Sequence, residues 1–237
     1  MAAIVWDKTG EHFYETGVDH GVLYTYEEAS SDNPQTWEDK AGFKSGVAWN
    51  GLTAVNESPS GAEPTALWAD NIKYLNLIST EELEGSIEAY TYPDAFAECN
   101  GEKDLVAGAK IGQQPRKPFG LCYKTILGND TELDNHGYKL HLIYGCTVTP
   151  SEKAYETVND SPDAIQMSWD FSTVPVNVTD AKPTASIEID STKFTGDDAA
   201  KLTALENILF GSQDVDPHLP LPDVVKAILT TGTEPQS

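Results

Sequence analysis

The sequence predicts a mainly β fold, an antiparallel β-sandwich flanked by one α-helix. Short runs of β-branched and aromatic residues recur along the chain, separated by Gly, Pro, Asn and Asp, which is the pattern of sandwiches and barrels. Several of these runs alternate apolar and polar side chains, whereas a single convincing segment repeats its apolar residues at helical spacing. We therefore expect one domain that spans residues 1–237.

The first predicted strand is Val22-Leu-Tyr-Thr-Tyr26, and a long polar stretch over 27–64 follows it. This stretch is rich in Ser, Pro, Asn and Gly, which favour turns. Within it, 46–49 is expected to form a short strand before the Asn50-Gly51 turn signal. We predict that 27–64 is a long polar loop, and a loop of this length in a compact domain is usually either functional or disordered.

The clearest alternation begins at residue 86. Ile87 and Ala89 share one face of this predicted strand, and Glu88 and Tyr90 share the other. Rows of period two with one apolar face are typical of antiparallel strands that bury one side. The same pattern predicts further strands over 119–123, 138–144 and 165–171, and a short strand over 185–189.

One amphipathic helix is predicted after residue 195. Thr195-Gly-Asp-Asp198 supplies a hydroxyl N-cap and acidic residues for the first turn, and Gly211 is a natural stop. The apolar residues that share one face of this helix are Leu202, Leu205, Ile208 and Leu209. We expect this face to cover one side of the sheet.

The C-terminal segment 184–237 is predicted to contain a strand, this helix and a Pro-rich arm. Leu219-Pro-Leu-Pro222 is expected to be extended, because proline restricts its own φ and disfavours a helical residue before it. Residues 223–229 fit either a last strand or a short helix, and both interpretations stay open.

The net charge of −23 is extreme, since a small soluble domain usually carries a magnitude of about 2–8. Such a surface repels nucleic acid and anionic lipid, which argues against a DNA-binding or membrane-docking module. No run approaches the roughly 20 apolar residues that cross a bilayer, and the first residues lack the pattern of a secretory signal. We therefore expect the protein to stay in the cytoplasm until it joins an assembly.

The sequence lacks the motifs of common enzymes and metal sites. It has no phosphate-binding loop, dinucleotide-binding motif, zinc-protease motif or serine-hydrolase elbow. The cysteines Cys99, Cys122 and Cys146 are widely spaced, and we expect them to be buried apolar side chains. Residues 129–134 alternate oxygen-bearing side chains but lack the remaining features of a calcium loop, so a hairpin loop is the favoured interpretation. We predict no catalytic residue, cofactor or metal ion.

A Gly- and Pro-rich block over 111–120 carries two adjacent cations, Arg116 and Lys117. Pro115 and Pro118 restrict the backbone around them, so we expect a rigid turn. Two interpretations stay open: the two cations are solvated, or they form ion pairs with acidic residues of a neighbouring subunit.

Several short stretches keep one order between about residues 46 and 178. They are Trp49-Asn-Gly-Leu52, Glu57-Ser-Pro-Ser-Gly-Ala-Glu63, Ala69-Asp-Asn-Ile-Lys-Tyr74, Gly85-Ser-Ile-Glu-Ala-Tyr-Thr-Tyr-Pro93, Ile111-Gly-Gln-Gln114, Gly128-Asn-Asp130, Gly137-Tyr-Lys-Leu-His141, Pro150-Ser151 and Asn159-Asp-Ser-Pro162. Together with Leu219-Pro-Leu-Pro222, this series resembles the major tail protein, or tail tube protein, of siphophages that infect Gram-positive bacteria. Residues 1–45 and 184–237 resemble that family less sharply.

The resemblance implies a β-sandwich flanked by a helix, whose subunits form hexameric rings that stack into a hollow tube. A long inter-ring loop, here 27–64, and terminal arms would reach into adjoining rings. The implied partners are further copies of the chain and the tape measure, tail terminator and distal tail proteins, while genomic DNA passes through without specific binding. The resemblance also implies a virion protein, assembled in the host cytoplasm, with no enzymatic activity, no cofactor and no membrane partner.

The acidic charge suits a DNA conduit, because cations in the lumen would bind phosphates and hold the DNA. We hypothesise that outward-facing carboxylates on the lumen strands, such as Glu88, line the channel. Two other functions stay open. A β-sandwich binding module, such as a capsid decoration or receptor-binding domain, would be a monomer or trimer with a ligand cleft. A hydrolase that uses a pair of acidic residues would need both in one pocket and would show turnover.

Overall fold

The computed structural model describes residues 3–29, 41–155, 157 and 164–235. The strands are β1 (Phe13–Glu27), β2 (Gly42–Ala48), β3 (Leu52–Gly61), β4 (Pro64–Ala69), β5 (Ile72–Ile78), β6 (Glu81–Ala89), β7 (Lys103–Val106), β8 (Ala109–Ile111), β9 (Phe119–Asn129), β10 (Leu133–Val148), β11 (Met167–Thr173) and β12 (Ser186–Asp190). The helices are α1 (Phe96–Cys99), α2 (Asp198–Leu209) and α3 (Pro222–Thr231), with a 3-10 turn at Ser191–Lys193. Every strand pairing among these is antiparallel, so the predicted mainly β, antiparallel class is confirmed.

The main sheet has the strand order β2-β1-β9-β10-β11-β6-β3, with β12 also paired to β10. Strand β10 pairs with two different strands along its length. Residues 139–143 pair with β12, and residues 146–148 pair with β11. Gly145 separates the two halves, with φ of 63°, and a Cβ there would lie 2.4 Å from the carbonyl oxygen of Val174. Glycine is therefore required where β10 passes from one part of the sheet to the other.

Two apolar clusters lie on opposite faces of the central strands. In β9 and β10, Cys122 and Leu142 belong to the first cluster, and Leu121 and Ile143 to the second, as alternation requires. Helices α2 and α3 contribute Leu202, Leu205, Ile208, Leu209, Val225 and Ile228 to the first cluster. Strands β6 and β11 and helix α1 contribute Ile87, Ala89, Phe96, Cys99, Trp169 and Phe171 to the second. This arrangement of a sheet, a second layer of strands and a helical cover is consistent with a β-sandwich.

The prediction of one flanking helix is wrong, because α3 packs beside α2. Helix α2 confirms the predicted amphipathic segment, and residues 223–229, which the sequence left open, belong to α3. Pro222 begins α3, where its fixed φ suits the first helical turn, and Gly232 ends it with φ of 81°. Buried Val225 and Ile228 are three residues apart and place one side of α3 in the core.

None of the helices among the described residues is long and apolar enough to cross a membrane.

The stretch 27–64, predicted as a long polar loop, contains two strands. Strands β2 and β3 account for 17 of its 38 residues, and residues 28–41 join β1 to β2. Residues 30–40 of that connection lie outside the described part of the chain. The polar run from Asn56 to Ser60, which has the composition of a turn, is extended because its backbone pairs with β6 and its side chains alternate on an exposed edge.

The three cysteines are buried and free, as the sequence predicts. Burial raises the pKa of the Cys99 and Cys122 thiols to about 12. Burial likewise raises the pKa of Cys146 far above its ordinary value. All three therefore act as small apolar side chains in the core.

Candidate assembly surfaces

The outer face of β3, β6 and β11 carries a concentration of acidic side chains. Along β6, Ile87 and Ala89 point into the second cluster, so the intervening residues face outward. The outward-facing acidic residues of β6 and β11 are Glu82, Glu84, Glu88 and Asp170. Glu88 thus lies on the outward face that alternation predicts, and its carboxylate accepts a 2.8 Å hydrogen bond from Nε2 of Gln166.

The strand register arranges this face in rows across the three strands. The rows are Ser168, Glu88 and Ala54; then Asp170, Ser86 and Asn56; then Ser172, Glu84 and Ser58. None of these positions holds Lys, Arg or a large apolar side chain. The face, which we call the acidic face, therefore combines negative charge with short polar side chains. Glu82, Glu84 and Glu88 share it because they alternate along β6, and pairing with β11 adds Asp170.

A polar network on the opposite side of β3 joins it to the central strands. The Tyr123 hydroxyl donates a 2.6 Å hydrogen bond to Glu57, and the Tyr123 ring stacks on His141 at 4.6 Å. Lys139 lies 2.8 Å from Glu15 and 3.0 Å from Glu188. The bond from Tyr123 to Glu57 holds β3 against β9, and thereby positions the acidic face relative to the rest of the sheet.

The titration of this network follows from its contacts. Burial raises the pKa of Tyr123 far above its ordinary value, and the carboxylate of Glu57 adds to the effect. Burial also tends to raise the pKa of Glu15, but hydrogen bonds from Lys139 and Thr125 outweigh it and hold that pKa below its usual value. Glu15 is therefore ionised at neutral pH and paired with a cation, which is the state of a structural carboxylate rather than of a general acid.

The hairpin of β4 and β5 projects from the end of the β3–β6 pair. Its turn is Asp70-Asn71, with φ of 50° and 61°, the geometry of a two-residue hairpin turn. The exposed apolar side chains of this hairpin are Leu67, Trp68, Ile72, Tyr74, Leu75, Leu77 and Ile78. An isolated two-stranded hairpin is marginally stable in water, and a large exposed apolar patch marks a contact surface. We therefore regard this hairpin as a second candidate surface, one for which the sequence analysis predicted no strands.

The N-terminal segment is attached to the β9–β10 turn through Asp130. Its carboxylate accepts hydrogen bonds from the backbone N–H of Gly10, at 2.9 Å, and of His12, at 3.3 Å. The Gly10 amide is the main reason that the pKa of Asp130 falls to about 2. Residues 129–134 thus form the predicted hairpin turn, and Asp130 binds backbone amides of this chain. Beyond the attachment, Ile4, Val5 and Trp6 are exposed.

The two cations of the 111–120 block have different surroundings in the structure. Lys117 forms a 2.6 Å ion pair with Glu98 of α1, and the hydrogen bond to Glu98 raises the pKa of Lys117. Arg116 makes no hydrogen bond or ion pair with any residue that the structure describes, and its Nε is buried without a partner. Arg116 is the only arginine in the chain. The two residues therefore have different roles, although both were predicted as interface candidates.

Within the described ranges, no group of three or more His, Cys, Asp or Glu side chains is placed to hold a metal ion. Two shallow depressions, of about 430 and 320 Å³, flank the start of β10. Their linings share His136, which is held by Glu132 at 2.6 Å.

Comparison of the chain with models of known protein families and with curated proteins gave no match. The features of the molecule that bear on its function are the acidic face, the exposed hairpin and the buried, unpaired Nε of Arg116.

Proposed function

We propose that this chain is the structural subunit of a siphophage tail tube, which polymerises as stacked hexameric rings and conducts DNA from the capsid to the host. The observation that carries the proposal is the acidic face of β3, β6 and β11. Its exposed rows combine Glu84, Glu88 and Asp170 with Ser, Asn and Ala and contain no cation. In this proposal the acidic face lines the lumen.

A lumen of this composition keeps DNA mobile. Each phosphate that pairs with a Lys or Arg releases counterions and adds affinity, so a basic lumen would retain the DNA. Carboxylates repel the phosphates, and the small side chains of these three rows give bases no aromatic ring on which to stack. The genome then slides along the wall without binding to it.

Open strand edges support assembly through the same sheet. Among the described strands, β3 is hydrogen-bonded to β6 alone. On the other side of this layer, β10 pairs with β11 only at residues 171–173, so 167–169 present a second unpaired edge within the described ranges. Exposed edges favour pairing with another chain. Edge-to-edge pairing of neighbouring copies would join the acidic faces into one continuous wall.

In this proposal the remaining partners are tail proteins. The tape measure protein would occupy the lumen before DNA does, and the tail terminator and distal tail proteins would contact the two ends of the tube. The protein would be assembled in the host cytoplasm and would reside in the virion, without a cofactor or a membrane partner.

Negative-stain electron microscopy of the concentrated, purified protein tests the proposal. We expect hollow rings or flexible tubes of uniform diameter, and sedimentation velocity should show their mass rising with protein concentration. Mixing with a tail-initiating complex from a related phage extends the test to assembly that needs a nucleus. A protein that remains a monomer under both conditions contradicts the proposal.

The exposed hairpin favours one alternative, a β-sandwich binding module such as a capsid decoration or receptor-binding domain. Trp68, which is 70% exposed, and its apolar neighbours would then bind a different virion or host protein. This function predicts a stable monomer or trimer that forms a complex of fixed stoichiometry. The mass distribution measured for the purified protein distinguishes it from the tail tube.

A further inference from the structure

The buried Nε of Arg116 has no acceptor among the described residues of a single copy, although the residue as a whole is half-buried. A buried donor without an acceptor is unfavourable, and more so when the group is charged. Arg116 packs against Gly101, where an added Cβ would lie 3.3 Å from the Arg116 side chain. Its fork of donors matches a carboxylate in bidentate geometry.

Arg116 lies at one end of the layered strands. The residue after its loop is Phe119, at the start of β9, and the Phe119 ring meets Phe96 of α1 at 5.6 Å. Trp49, just before β3, also meets Phe96, at 4.6 Å. The start of β9 and the start of β3 are therefore at the same end of the molecule as Arg116.

The exposed hairpin lies at the opposite end. Halfway along the strands, Glu57 of β3 meets Tyr123 of β9. Strand β3 then continues to Gly61, which pairs with Glu81, and the β4–β5 hairpin follows directly. The turn residue Asp70 lies at the tip of this hairpin. Asp70 is exposed, and its carboxylate has no partner among the described residues.

We propose that the β4–β5 hairpin of one copy docks at the Arg116 end of the next copy, with the Asp70 carboxylate bound to the Arg116 guanidinium. This inference rests on the proposed function and names the two surfaces that meet when copies assemble. Charge and apolar surface both match. Arg116 and Asp70 carry opposite charges that have no partner among the described residues of one copy. Exposed apolar side chains lie on the β7–β8 hairpin that follows Gly101, namely Leu105, Val106 and Ile111, and on the β4–β5 hairpin, namely Leu67, Trp68 and Ile72.

The contact is heterologous, since it joins two different surfaces at opposite ends of the molecule. A heterologous contact leaves one free hairpin and one free Arg116 site after each addition, so growth continues in one direction. An isologous contact would instead end at a dimer. The proposed contact therefore gives the assembly a polarity that the acidic face alone does not.

Charge reversal tests the contact in the full-length protein. Arg116→Glu and Asp70→Arg should each raise the critical concentration for tube formation by at least about tenfold, the factor that corresponds to about 1.4 kcal/mol. Both substitutions in one chain should recover most of the loss. The matched controls are Lys226→Glu and Asp214→Arg, exposed positions of the helical side that receive the same change of charge. If either single variant assembles as its control does, or if the double variant shows no recovery, the proposed pair is wrong.

Crosslinking between copies tests the contact with the ion pair left intact. Copies with Ala69→Cys and copies with Pro115→Cys are mixed at assembling concentration and treated with a short bis-maleimide; the three native thiols are buried. We expect a heterodimer from the mixture and none when Asp214→Cys replaces Ala69→Cys. Tubes that form without this crosslink overturn the inference and leave the proposed function intact. A wild-type protein that forms neither rings nor tubes refutes both.

Discussion

Replacement of Glu88 with lysine tests whether the acidic face lines a DNA conduit. In its row, Glu88 lies between Ser168 and Ala54, so a lysine there has no directly opposite carboxylate to neutralise it. Gln166 would lose its hydrogen bond to Glu88 but would keep a 3.0 Å bond to Thr53. The substitution therefore changes the charge of the face without removing an apolar contact of the core.

The expected size of the effect follows from the number of copies in a ring. In a hexamer, Glu88→Lys adds one lysine per subunit at the same level of the lumen. If each neutralises about one phosphate, the logarithm of the DNA-binding constant falls with the logarithm of the salt concentration with a slope of about −5. Retention of DNA would then weaken roughly a thousandfold between about 50 and 200 mM salt.

The assay is the rate of DNA release from phage particles that carry the variant, followed with a fluorescent dye at several salt concentrations. We expect slow release at low salt that approaches the wild-type rate at high salt. Asp214→Lys makes the same charge change on an exposed connection between α2 and α3 and should behave as wild type. If the two variants release DNA at equal rates at every salt concentration, Glu88 does not face the DNA.

Three further predictions concern stability, assembly and pH. Gly145→Ala should lower the free energy of unfolding by about 2 kcal/mol or more, because φ is 63° and the new Cβ would meet a backbone carbonyl oxygen at 2.4 Å. Urea unfolding measures this change. The control is Gly112→Ala, because a Cβ at residue 112 would have nothing within 4 Å. Trp68→Ser should leave the melting temperature almost unchanged, because the side chain is 70% exposed, and should prevent tube formation, so tubes from this variant would remove the hairpin from the assembly contact. The pKa of Asp130 is lowered from 3.8 to about 2, so attachment of the N-terminal segment is complete above pH 3.8 and is lost as the pH falls towards 2. The amide NMR shift of Gly10 should change with pH over this transition, and this pH dependence should be absent in Asp130→Asn. Detachment near pH 6 would contradict the assignment to a carboxyl group.

Alternation along the chain was sufficient to predict the strands that contribute to the core. Ile87 and Ala89 are fully buried, and Glu88 between them faces outward. Because successive side chains of a strand point to opposite faces, the order of the residues determines which of them share a face. Spacing predicted α2 in the same way, since the helical repeat places Leu205 and Ile208 on one side.

Strands with little apolar content were missed for a physical reason. Between Asn56 and Ser60, β3 has exposed polar residues and a proline, a composition that favours turns in isolation. Its backbone is extended because β6 supplies hydrogen-bond partners along its whole length. That pairing joins residues twenty or more positions apart, so no local pattern contains it.

The sequence by itself determined the antiparallel β class, the amphipathic helix α2, the outward direction of Glu88 and the excess of negative charge. Only the tertiary structure decided that Asp170 of β11 shares a face with Glu88 of β6, since that depends on the register of strands from distant parts of the chain. The same holds for Arg116 and Lys117, which are adjacent cations in the sequence. Helix α1 brings Glu98 to Lys117 and leaves Arg116 without an acceptor, because ion pairing depends on distance in space and not on position along the chain.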